Sequence, residues 1–148
     1  MGYLDSGYIA KFYVDEPYSP WVRRLAESLG EVHCAALGRA EVASALHRKL
    51  REGTFSDATF RQVIAQFEDD CSQELWTWIP VTAAVLAATV GAIRRAPRSV
   101  FLRAADAIHL ACAHESGFTE VYTGDRHMTL AAPHFRVTAV TIRGGRHV

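Results

Sequence analysis

Leu102-Arg-Ala-Ala-Asp-Ala-Ile-His-Leu-Ala-Cys-Ala113 decides how the rest of the chain is read. The stretch reads as a helix that is apolar almost all the way round, and such a helix is normally buried. It nevertheless carries a carboxylate, Asp106, near its start. An unpaired buried carboxylate is costly, so a cation, a metal or strong donors are expected beside it. Alone, Asp106 reads equally as an anion favoured by the helix macrodipole and as a functional group. The remainder of the sequence shifts that balance.

Working outward, 148 residues with 49% hydrophobic content suffice for one domain with a sizeable core. The formal net charge is zero, so no global field draws in nucleic acid and any polyanion site must be a local patch. Cys34, Cys71 and Cys112 form no CxxC pair, which suggests buried thiols in a reducing compartment, the cytoplasm. No signal peptide is evident. The opening Met-Gly matches a myristoylation signal superficially, but Tyr3 and Leu4 look like strand residues. The longest apolar run, Val81 to Ile93, is too short to span a bilayer, so no membrane partner is expected. Seven scattered histidines with no HxH or HExxH arrangement disfavour zinc.

The periodicity predicts strands over 1–4, 32–36, 75–81, 120–123 and 138–142, alternating with helices. Ser6 is a candidate N-cap of the first helix, and Ser19-Pro20 is expected to open the second with Ser19 as its cap. Further helices are expected over 39–51, after Ser56, over 82–95, over 102–116 and over 125–132. The helix pair between strands two and three is the longest excursion and suggests a protruding arm. Trp76 and Trp78 should share one face of their strand. Alternating elements point to an α/β sandwich with a mostly parallel sheet. The expected organisation is a single domain over 1–142 with a loose tail over 143–148.

In open α/β sheets, sites form at the carboxyl ends of the strands. Asp5 follows the first strand. Glu41 is expected in the first turn of the helix after the second, Asp106 in the first turn of the central helix, and Asp125 just after the fourth strand. Four clustered carboxylates repel and cannot all stay ionised without cations. An all-oxygen acidic site suits Mg²⁺ or Mn²⁺, and such a site can support metal-assisted phosphodiester hydrolysis. Individually, Glu41 and Asp125 read more readily as a helix-dipole partner and a turn residue; their order and placement raise the functional reading. Asp15-Glu16 and Asp69-Asp70 read as solvated helix ends.

Taken together, these motifs resemble the PIN-domain proteins, specifically VapC-type toxins of bacterial toxin–antitoxin pairs. Tyr3-Leu-Asp5-Ser-Gly-Tyr-Ile-Ala-Lys-Phe-Tyr13 resembles the family's opening, and Ala40-Glu41-Val-Ala-Ser-Ala-Leu46 its second motif. Leu102-Arg-Ala-Ala-Asp106-Ala-Ile-His-Leu-Ala111 resembles the third and is the most specific; Tyr122-Thr-Gly-Asp125-Arg126 resembles the last. The resemblance covers essentially the whole chain and implies a PIN-like three-layer α/β/α sandwich. It implies a Mg²⁺- or Mn²⁺-dependent endoribonuclease, a homodimer, and a small antitoxin that occupies the active-site groove. Asp5, Glu41 and Asp106 would be the main metal-site acids and Asp125 would complete the site. Ser6 and Thr123 would be supporting hydroxyls, although Ser6 reads equally as a plain cap.

Arg94, Arg95, Arg98 and Arg103 cluster around the entry to the central helix and are candidates for contacts to the RNA backbone. The alternative is a solvated helix end. Arg103, three residues before Asp106, is positioned to pair with it. His109 reads more readily as a satisfied core histidine than as a catalyst. A phosphatase of the haloacid-dehalogenase type needs a second Asp two residues after the first, where this chain has Gly7. A catalytically silent PIN domain serving as an RNA- or protein-binding module is the other alternative, and the presence of all four acids disfavours it.

Overall fold

The computed structural model describes residues 1–143 and 146–147, with side chains described for 1–142. The elements run β1 (Gly2–Leu4), α1 (Ser6–Phe12), α2 (Ser19–Leu29), β2 (Val32–Ala35), α3 (Leu37–Arg51), α4 (Asp57–Ser72) and β3 (Trp76–Ile79). They continue α5 (Ala83–Arg95), α6 (Ala104–Glu115), β4 (Glu120–Tyr122), α7 (Arg126–Ala131), a 3-10 turn (Ala132–Phe135) and β5 (Thr138–Val140). A short antiparallel ribbon, β6 (Ile142–Arg143) with β7 (Arg146–His147), follows. The expected loose tail lies partly outside the described residues, at 144, 145 and 148.

β1 to β5 form one sheet in the order β3-β2-β1-β4-β5, and every pairing in it is parallel. Parallel sheets need both faces covered, and the burial shows two separate cores. On one face Leu4, Val32, Cys34 and Trp76 pack with Ile9, Val22, Leu25, Val42, Leu46 and Phe67 from α1 to α4. On the other, Tyr3, Ala35 and Val121 pack with Val85, Leu110, Ala111, Met128 and Phe135. Alternation along β1 therefore sends Leu4 to one layer and Tyr3 to the other, which is the strand's period of two at work. The result is the expected α/β/α sandwich, with α6 buried beneath the sheet. Trp76 and Trp78 both join the first core, on one face as expected.

Local chemistry corrects several helix starts. Asp5, not Ser6, caps α1: its backbone is extended and its side chain accepts the Tyr8 N–H, the geometry an N-cap carboxylate provides. Ser6 is the first helical residue. Ser19 does not cap α2 either. Tyr18, with φ +76°, holds that position, while the Ser19 hydroxyl accepts the Glu16 N–H and closes the preceding turn. α3 starts at Leu37, before the expected position, because the chain turns into it directly from β2 with no side-chain cap. Glu41 consequently lies in its second turn.

The α3–α4 hairpin is not a free arm. Phe67 and Cys71 are buried in the first core and Phe60, Val63 and Ile64 pack against it; residues 51–54 at the tip are exposed. An amphipathic stripe must be covered, so the hairpin lies against the domain. The three cysteines are buried and unpaired. Among the described residues, no helix is long and apolar enough to cross a membrane.

Candidate functional site

The strand order reverses direction between β1 and β4, and Asp5 and Asp125 emerge just beyond the carboxyl ends of these two strands. This is the crevice where open α/β sheets place ligands. There, Asp5, Glu41, Asp106 and Asp125 all line one groove of about 740 Å³. Ser6, Lys11, His47, Arg48, Arg51, Arg103 and His109 line it as well.

Asp5 is buried at the groove floor. Its Oδ1 accepts the Tyr8 N–H at 2.7 Å and its Oδ2 accepts the Thr123 hydroxyl. Burial pushes its pKa up to about 6, against the opposing pull of those two donors. Thr123 is fully buried. While donating to Asp5, its oxygen accepts the Asp125 N–H at 2.9 Å. One hydroxyl therefore ties two acids from opposite ends of the chain. Asp125 itself caps α7, its Oδ1 accepting the N–H groups of His127 at 2.7 Å and Met128 at 3.0 Å. Burial raises its pKa, but the Met128 amide, Arg103 and the His127 amide together hold it below the usual carboxylate range.

Asp106 sits in the first turn of the buried α6, and the expected partner is there: Arg103 Nε donates to its Oδ2 at 2.6 Å. The same guanidinium reaches Asp125 through Nη2, so Arg103 bridges two of the acids. Glu41 comes from the opposite wall. Its Oε2 accepts from Nε2 of His109 at 2.7 Å. Burial pushes Glu41 up, but the His109 hydrogen bond, the Ser6 hydroxyl and the positive Arg103 outweigh it, and its carboxyl titrates below the usual range.

This approach of α3 to α6 depends on Gly38. A Cβ there would sit 2.6 Å from Cys34 Sγ, 3.3 Å from His109 Cε1 and 3.4 Å from the Trp78 ring. Gly38→Ala is expected to push α3 away from α6 and to cost about 1–3 kcal/mol, the usual penalty for overpacking. Urea unfolding of the variant measures it; an unchanged midpoint would mean that the packing there is loose.

A divalent ion is tested by the donor set itself. The four acids supply oxygen ligands alone, the chemistry that Mg²⁺ and Mn²⁺ take. Among the described residues, no three of His, Cys, Asp and Glu form a ready cage. Mg²⁺ does not ask for one: it keeps several waters and binds through one or two carboxylates. The bridging Arg103 cation between Asp106 and Asp125 shows the same need for positive charge at this place. The residues fit the ion.

Of the four arginines read from the sequence, Arg103 alone lines the groove. Arg94, Arg95 and Arg98 are exposed elsewhere, Arg95 beside a separate hollow with Gly91, His134 and Phe135. The groove's basic wall is instead Lys11 from α1 with Arg48 and Arg51 from α3. None of these three belongs to the arginine cluster around the entry to α6. Arg48 and Arg51 stand four and seven residues after Ser44, another groove residue, a helical spacing that was available as a signal. His109 is a satisfied core histidine as expected, and it also touches Glu41.

A parallel α/β/α sandwich with four carboxylates in its switch-point groove has the framework of a nuclease domain that works through divalent ions. The family model of the PIN domain matches residues 2–132, and the chain belongs to the PIN domain family. PIN domains are generally nucleases that use divalent metal ions. The fold is similar to the crystal structure of FitAcB from Neisseria gonorrhoeae, with a TM-score of 0.72 at 19% identity, covering 94% of this chain and 96% of that one. It is also similar to FitAB bound to an IR36 DNA fragment, with a TM-score of 0.70 at 18% identity, covering 95% of this chain and 94% of that one. No curated protein sequence matches.

Proposed function

We propose that this chain is a metal-dependent endoribonuclease toxin, hydrolysing RNA phosphodiester bonds and held in check by a small cognate antitoxin. The observation that carries the reading is the convergence of Asp5, Glu41, Asp106 and Asp125, from four separate elements, on one groove of a PIN domain. The antitoxin and the cytoplasmic setting follow from the likeness of the four motifs to VapC-type toxins, and the similarity to FitAB accords with them.

Asp5, Glu41, Asp106 and Asp125 would hold Mg²⁺ or Mn²⁺. When bound, such an ion neutralises phosphate charge and lowers the pKa of a bound water. The protein's own contribution is order. Thr123 fixes Asp5 and Asp125 together, His109 holds Glu41, and the Ser6 hydroxyl sits beside Glu41 at the groove. The test is cleavage of total cellular RNA by purified, antitoxin-free protein with Mg²⁺, Mn²⁺ or EDTA. Discrete fragments that EDTA abolishes are expected. Cation binding with no cleavage of any RNA would point to a silent binding module instead.

Lys11, Arg48, Arg51 and Arg103 are proposed to carry the RNA backbone past the acids, with Arg94, Arg95 and Arg98 serving a more distant stretch. Neutralising a phosphate contact lowers the salt slope of binding by about one. Replacing Arg48 and Arg51 together by Ala should therefore flatten the slope by about two, and replacing Arg95 and Arg98 should do less. An unchanged slope in the first pair would remove that wall from the RNA path.

The homodimer is proposed to form on α5. Leu86, Val90 and Ile93 recur at helical spacing on its outer face and are 45%, 65% and 42% exposed. A second copy would cover them. Light scattering of the wild type should give twice the chain mass and Val90→Glu a monomer; a monomeric wild type would overturn this.

A further inference from the structure

We infer that His109 is a positioning residue for Glu41, held in one tautomer by a hydrogen-bonded string that starts at the β2 backbone and passes through Tyr3. The inference rests on the proposal above that Glu41 serves the acidic site.

The string has three links. The Ala35 N–H meets the Tyr3 hydroxyl oxygen at 2.9 Å. That hydroxyl meets His109 Nδ1 at 2.9 Å. His109 Nε2 meets Glu41 Oε2 at 2.7 Å. A backbone N–H can only donate, so it takes a lone pair of the Tyr3 oxygen. The single phenol proton is then available to Nδ1, the ring nitrogen 2.9 Å away, and the inferred string has it donated there. Tyr3 is fully buried, so no water competes for that proton. A ring that accepts at Nδ1 carries its hydrogen on Nε2 and donates from there, here to Glu41.

The other group near Nδ1 is the Cys34 thiol at 3.8 Å, which burial also pushes up and keeps neutral. Asp5, on the neighbouring strand end, faces Thr123 and the Tyr8 N–H rather than the ring. The ring is itself 1% exposed and meets Tyr3 edge-on at 81°, so it is fixed by packing as well as by hydrogen bonds. Four elements are linked in this way: β2, β1, α6 and α3. The exposed end of the string is a long, half-buried glutamate on the groove wall. Its Oε2 is committed to His109, and the carboxyl as a whole lines the groove beside the Ser6 hydroxyl. The Nε2 hydrogen of so buried a ring needs an acceptor, and the one it meets is a groove carboxylate rather than a backbone carbonyl. Groups that orient ligating carboxylates in this way typically change metal affinity or activity by 10–100-fold when removed.

Two measurements on the full chain test this. The first is the ring-nitrogen NMR spectrum of His109 in the metal-free wild type. A bare Nδ1 and a protonated Nε2 are expected; hydrogen on Nδ1 overturns the string. The second is Mn²⁺ affinity by water-proton relaxation, with thermal melts to confirm folding. His109→Leu should weaken binding about 10–100-fold. His109→Gln, whose amide N–H reaches the Nε2 position, should bind nearly as the wild type does. His109→Asn, whose amide stops at the Nδ1 position, should behave like the Leu variant. Tyr3→Phe keeps the ring but frees its tautomer, and should weaken binding while remaining folded. Wild-type affinity in the Leu, Asn and Phe variants would overturn the inference. If the wild type binds no Mn²⁺ at all, the metal-dependent reading fails, and the ring-nitrogen spectrum still decides the string.

Discussion

Asp5→Asn and Asp106→Asn should each abolish RNA cleavage while the protein stays folded. Both acids are buried at the groove floor, and each substitution removes the negative charge that would hold a divalent ion there. Metal-ion charge stabilisation is worth several kcal/mol in the transition state, so a loss of about a thousandfold or more is expected. Survival of the fold follows from the neighbours. An asparagine at position 5 still offers a carbonyl to the Tyr8 N–H, and α6 is held by Leu110, Ala111 and Cys112 rather than by its carboxylate. Initial rates on a defined RNA, paired with circular dichroism melts, read both halves. Wild-type cleavage in both variants would sink the assignment of the site.

The second large effect is in stability. Burial raises the pKa of Asp5 from 3.8 to about 6. The folded, metal-free chain therefore holds this proton more tightly than the unfolded chain does. Below pH 3.8 both states are protonated and nothing is lost. As pH rises through the window up to about 6, the unfolded chain ionises first and stability falls. Above the window the full penalty applies, about 3 kcal/mol for a shift of this size. Asp5→Asn has no such proton. Urea unfolding in EDTA should thus show the variant gaining on the wild type by about 3 kcal/mol across that window. Added Mn²⁺ should close the gap, because an ion that binds only the folded wild type stabilises it. A difference that stays flat with pH would mean that Asp5 titrates normally.

Much of this architecture was legible in the sequence because its signals are local. Pro97 and Gly117 mark the limits around α5 and α6, and apolar periodicity gave the alternation of strands and helices. The four acids could be placed because each lies close behind a strand or near a helix start, where chain order alone fixes the edge of the sheet. What could not be read lies at long range. Nothing near His109 announces that its partner is 68 residues away, and the link from Tyr3 to that ring spans 106. Arg103 was legible as a partner of Asp106 three positions on, but its reach to Asp125 depends on how α6 and α7 meet. The caps went wrong for a related reason: Ser6 and Asp5 are both good caps, and only the extended backbone at Asp5 decides between them. The arginines around 94–98 cluster in sequence, yet the turn between α5 and α6 carries them away from the groove.

The central place of β1 in the sheet has a consequence for how the protein is made. Thr123, the partner of Asp5, is synthesised 118 residues after it, and β1 cannot complete its pairing until β4 arrives. Contacts this distant form late. A nascent chain that has not yet reached β4 therefore carries an unfinished groove, in which Asp5 still lacks Thr123 and Asp125. The four acids can meet only once the segment carrying Asp125 has emerged, so the groove is completed after its other walls are already made.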